Sequence, residues 1–89
     1  MGAAIRAIQT LEPVAARYRT NASVHATLAE AYVRKYLSTP DKNWLEKAVE
    51  SGRQAILIDH DLVAGHVALA MVLAASAAPP LRLSETSIP

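Results

Sequence analysis

One stretch of this chain comes back after 41 residues. Val24-His25-Ala26-Thr27-Leu28-Ala29-Glu30-Ala31-Tyr32 is echoed by Gly65-His66-Val67-Ala68-Leu69-Ala70-Met71-Val72-Leu73, with His, Leu and Ala in register. One helix–turn–helix unit with its connections fits that distance, and a fixed period of this size is the mark of helical repeat architectures. Each unit of such an array cannot bury its apolar face alone. Stacking on a neighbour is what makes a core.

The totals agree with that reading. At 89 residues there is room for one domain with a small core. Apolar residues make up 52%, with Ala prominent and Phe absent. Small side chains let helix axes approach closely, so the expected class is all-α, an antiparallel stack of about four helices. A net charge of +1 gathers no polyanion. Six of the nine basic residues fall in the first 42 positions, but acidic residues and Ala interrupt them and no aromatic-laced basic stripe forms. Nucleic acid is therefore not an expected partner. With no Cys, disulfides and thiolate metal sites are excluded, which fits a reducing, cytoplasmic setting. Gln9, Thr10 and Glu12 make the N-terminus too polar for a signal-peptide core.

Helical spacing of Ile5, Ile8, Leu11 and Val14 or Ala15 predicts a first helix over 3–19, which Pro13 should kink or divide near Leu11–Glu12. Asn21 or Ser23 can cap a second helix striped by Val24, Leu28, Ala31/Tyr32 and Tyr36/Leu37. Thr39 before Pro40 reads as the cap of a third, over 40–58. Its inner face is Trp44, Ala48, Ala55, Ile56 and the pair Leu45/Val49. Gly52 sits mid-helix at a cost of about 1 kcal/mol against Ala, which points to a tight helix crossing there. Asp61 can cap a fourth helix over 62–78, stopped by Pro79-Pro80. Residues 1–78 make the domain, and 79–89 are expected to form a flexible tail.

These residues resemble the tetratricopeptide repeat. Leu28-Ala29 and Tyr32 match the slots of that family's first helix, Ala48 and Ala55 those of its second, and Ile56-Leu57-Ile58-Asp59 its exit, with His60 where Pro is usual. Leu69-Ala70 and Leu73 begin the next unit, and the N-terminal helix fits as the second helix of a preceding one. The family period is about 34 residues, so roughly seven extra fall between Tyr32 and Trp44. The resemblance implies an α-solenoid fragment with a right-handed stack and a groove lined by the second and fourth helices. From the second helix the lining would be Ala26, Thr27, Glu30, Val33 and Arg34; from the fourth, Val67, Ala68, Met71, Ala74 and Ala75. Relatives that clamp a C-terminal carboxylate use Lys and Asn in this groove, and this set has neither. An apolar helix or extended peptide is the better-suited ligand.

No other pattern points to chemistry. His25 and His66 hold equivalent repeat positions, about a helix diameter or more apart, so packing along the inter-helix groove is expected and not a shared metal. Asp59-His60-Asp61 offers metal-ligand types, but adjacent side chains at a helix junction diverge and two of them are ordinary capping residues. A hydrolase using His60 with Asp59 or Asp61 is the enzyme alternative. Glycine falls only at 2, 52 and 65, so no phosphate loop exists. Glu30 and Arg34 form an i, i+4 pair on a helix face. No catalytic residue, cofactor or metal is expected. The fourth helix has no charge over 62–78, but it is too short and Ala-rich to span a membrane. A helix apolar all round needs cover on both sides. The expected function is a non-enzymatic protein-interaction scaffold, with homodimerisation through the fourth helix as the alternative.

Overall fold

A computed structural model of the chain describes residues 2–77 and contains four helices. They are α1 (Ala3–Arg17), α2 (Ala22–Ser38), α3 (Lys42–Ile58) and α4 (Val63–Ala77). Among the described residues there is no strand, so the all-α expectation holds. The expected stop at Pro79-Pro80 and the tail 79–89 lie outside the described residues.

α2 is the centre of the stack. It packs against α1, α3 and α4, and α3 also packs against α4. Alanine makes these close approaches possible: Ala26, Ala29, Ala48, Ala55 and Ala68 are all completely buried. Ile8, Leu28, Tyr32, Val33 and Val72 fill the space between them. Gly52 and Gly65 mark where α3 and α4 come nearest. A Cβ at Gly52 would stand 2.7 Å from Leu69 Cδ2, and one at Gly65 would stand 3.3 Å from Ile56 Cγ1. The crossing expected at Gly52 is therefore present.

The helix ends differ from the sequence reading in four places. α1 is continuous through Pro13, because that residue is exposed and the Gln9 carbonyl it leaves unpaired is on the water side. Asp41, not Thr39, caps α3: its Oδ1 accepts from the Asn43 amide at 3.0 Å, and α3 begins at Lys42 rather than Pro40. A carboxylate at a helix N-terminus also interacts with the helix dipole, which a threonine hydroxyl does not match. Thr39 instead closes α2, its amide donating to the Lys35 carbonyl at 2.8 Å. Asp61 does not cap α4; its amide donates to Asp59 Oδ1 at 3.1 Å and its carboxylate lies beside His60 Nδ1. Asn21 caps α2 as expected, accepting from the Val24 amide at 3.1 Å. The extra residues of the 41-residue period lengthen α2 and α3, since the connection between them is just residues 39–41.

The repeat reaches further than the sequence echo. α1 ends at Arg17 and α3 at Ile58; α2 begins at Ala22 and α4 at Val63, each pair 41 apart. The two turns share a pair of backbone bonds. The Tyr18 amide donates to Val14 and the Asn21 amide to Tyr18, and the same links join Asp59 to Ala55 and Leu62 to Asp59. The molecule is thus two hairpins of one design, α1–α2 and α3–α4.

Candidate interaction surface

α2 and α4 lie side by side, as a shared groove requires. Where they meet, Val33, Leu37, Met71, Ala74 and Ala75 line a shallow apolar depression of about 290 Å³. Four of these were expected from the sequence. Leu37 was not, because its spacing placed it on the core stripe of α2, whereas it is half exposed at the rim. The rest of the expected set divides by depth. Ala26 and Ala68 are wholly buried and form the seam beneath the groove, out of reach of a ligand. Thr27, Arg34 and Val67 are exposed, and Glu30 is half-buried. Glu30 and Arg34 do not pair with each other; among the described residues Lys47 pairs with Glu12, and His60 Nδ1 lies 3.1 Å from Asp61 Oδ1.

The burial pattern explains that division. The repeat partners of Ala26, Thr27, Val33 and Arg34 are Val67, Ala68, Ala74 and Ala75. In each of these four pairs one member is buried and the other exposed. A covered face of α2 thus corresponds to an exposed face of α4. Ala22, Ala26, Ala29, Tyr32 and Val33 of α2 are buried, while Val63, Val67, Ala70, Leu73 and Ala74 of α4 are exposed.

A polar and aromatic cluster ties the first hairpin to the second. The Tyr32 hydroxyl donates to Glu12 Oε2 at 2.5 Å, joining α2 to α1. Lys47 of α3 approaches the same oxygen at 3.8 Å. The Tyr32 ring stacks on Trp44 with centroids 6.1 Å apart, and the Lys47 ammonium lies 5.5 Å from the Trp44 centroid. Burial, reinforced by the bond and the charge of Glu12, pushes the Tyr32 phenol well above its ordinary range. Its proton is held more tightly.

The two histidines do a job that sequence reasoning missed. His25 Nε2 donates to the Arg19 carbonyl at 2.9 Å, and His66 Nε2 donates to the His60 carbonyl at 2.6 Å. Each ring reaches back six residues to close the turn before its helix. Since a carbonyl can only accept, Nε2 carries the hydrogen in both. The signal was available: two histidines in one repeat slot, each four residues past the residue that ends a turn. An open depression of about 830 Å³ lies beside these turns, bordered by Arg17, Arg19, Asn21, Asp59 and Leu62. Among the described residues no three His, Asp or Glu side chains converge as metal ligands. Nor is any described helix long and apolar enough to cross a membrane.

Comparison of the chain with family models, with curated proteins and with solved structures finds no match.

Proposed function

We propose that this chain is a non-enzymatic protein-interaction module of the tetratricopeptide-repeat kind, binding an apolar helix or extended peptide along α2 and α4. The observation that carries the reading is the duplicated hairpin, with turn bonds and helix ends repeating at 41 residues. Such an array exists to hold a continuous surface, and its adjacent first helices supply one. The depression at Leu37, Met71 and Ala74 suits one apolar side chain of a partner, at about 25 cal/mol per Å² buried. Thr27 and Arg34 offer polar contacts at its edge.

Selection of the full chain against a displayed library of amphipathic helical peptides tests this. Peptides of micromolar affinity are expected, weakened at least about tenfold by Leu37→Asp, a charge placed at the rim of the depression. If no peptide binds more tightly than about 1 mM, or if binding ignores Leu37→Asp, the groove is not the site.

A further inference from the structure

Helix α3 lies across the first hairpin and touches both of its helices. Its Trp44 ring stacks on Tyr32 of α2, and its Lys47 ammonium stands 3.8 Å from the Glu12 carboxylate of α1. Leu28 and Tyr32 of that hairpin are 4% and 5% exposed. Carried forward by 41 residues, Tyr32 becomes Leu73, Leu28 becomes Leu69 and Glu12 becomes Arg53. On the second hairpin these positions form an open slot. Leu73 is 68% exposed, Arg53 is exposed, and Leu69 is only half-buried. Leu69 floors a depression of about 390 Å³ between α3 and α4, walled by Glu50, Arg53, Ile56 and Leu57. His66 shares the exposed face of α4, and its ring is already satisfied by the His60 carbonyl. Its counterpart His25 makes the same kind of bond and is buried, so this ring pose is compatible with cover.

We infer that this slot takes a helix of a partner protein, seated as α3 is on the first hairpin and carrying a carboxylate where α3 carries Lys47. The first hairpin supplies the template for shape: the occupant of the equivalent place is a helix. Charge supplies the rest. Where the template has Glu12 receiving an ammonium, the slot has Arg53, whose guanidinium calls for the opposite sign. Glu50 lines the same wall without pairing with Arg53. The matching helix therefore has a large apolar residue over Leu73, a carboxylate three positions on for Arg53, and a small residue next to it. That spacing copies Trp44, Lys47 and the wholly buried Ala48. A second copy's α3 would fit the shape but bring Lys47 against Arg53, like charge on like. Arg53 and Leu73 stand outside the depression at Leu37, so this is a second surface of the module and is read separately from the first.

A labelled synthetic peptide of residues 42–58 bearing Lys47→Glu is the probe. It also bears Gly52→Ala to raise its helicity, since the close neighbour of Gly52 is Leu69 of the helix beyond. Fluorescence anisotropy with the full chain at low salt should give a Kd on the order of 100 µM. The same peptide with Lys at position 47 should bind about fivefold more weakly, and Arg53→Glu in the chain should reverse that order. Leu73→Glu should abolish binding and leave Tm unchanged, because the residue is exposed. Leu37→Asp should leave binding as it is. A Kd weaker than about 1 mM overturns the inference. So does equal affinity of the two peptides for both forms of position 53, or binding that survives Leu73→Glu and is lost in Leu37→Asp. A lowered Tm in Leu73→Glu without peptide means that residues 78–89 cover the face, and it overturns the inference as well. A free chain that sediments as a dimer and becomes a monomer on Leu73→Glu does the same in favour of a second copy. Library peptides sensitive to Leu37→Asp decide the groove between α2 and α4 independently of all these outcomes.

Discussion

Gly52 of α3 and Leu69 of α4 meet so closely that a Cβ on the glycine would stand 2.7 Å from Leu69 Cδ2 and 3.1 Å from Cγ. Two terms oppose each other there. Replacing Gly by Ala in a helix interior gains about 1 kcal/mol of helix propensity. Against it, Leu69 must swing aside, which its half-buried position allows at a modest cost. Gly52→Ala should therefore fall within about 1 kcal/mol of wild type in urea unfolding, while Gly52→Val should lose about 2–3 kcal/mol. The coupling is the decisive measurement. In a Leu69→Ala background the clash is gone, so Gly52→Ala should become stabilising by about 1 kcal/mol. Simple additivity of the two changes would mean that the helices do not cross here.

Gly52 was legible in the sequence because a mid-helix glycine is costly enough to demand a reason. The apolar stripes of α1, α2 and α3 were legible for the same sort of reason, since helical spacing names a face directly. Spacing does not say how many faces have neighbours. That is why Leu37 was read as core, and why the apolar surround of α4 told of missing cover without saying which residues face water. The α1–α3 correspondence was hidden because it keeps polarity rather than identity. Ala7 matches Ala48 and Ile8 matches Val49, but Leu11 stands opposite Gly52 and Ala3 opposite Trp44. The capping error at Asp41 came from ranking Thr-Pro above the carboxylate two residues later. Either pattern starts a helix, and only the hydrogen bond to the Asn43 amide decides between them.

The histidine bonds repeat in geometry but not in setting. His25 is buried and His66 is exposed, so water can replace the second bond far more cheaply than the first. His25→Ala should cost about 1–3 kcal/mol, through the lost bond and the small void left beside the turn. His66→Ala should cost less than about 1 kcal/mol. In a domain of this size each kcal/mol shifts Tm by about 4–8 °C, so thermal unfolding followed by circular dichroism resolves the two. Equal losses would mean that burial does not set the value of this bond.

Alkaline pH should act through the Tyr32–Glu12 bond, and its sign follows from the direction of the phenol's shift. Burial first, then the bond to Glu12 and its charge, raise the folded-state value above the ordinary one. Below about pH 10 the hydroxyl keeps its proton both folded and unfolded, and its contribution to stability is fully present. As pH rises past about 10 the unfolded chain releases that proton while the folded chain retains it, so unfolding becomes progressively easier. The loss continues until the pH passes the raised folded value. Tyr32→Phe abolishes this linkage. Urea unfolding at a series of pH values should therefore give nearly parallel curves below pH ~10. Above it, wild type should fall faster than Tyr32→Phe by up to about 1.4 kcal/mol per pH unit. At neutral pH the variant should be weaker by about 1 kcal/mol, the worth of the lost bond, because the partly exposed Glu12 carboxylate can turn to water. Equal alkaline slopes would mean that the phenol gains nothing from its place between α1 and α3, and that the cluster joining the two hairpins is held by its stacked rings alone.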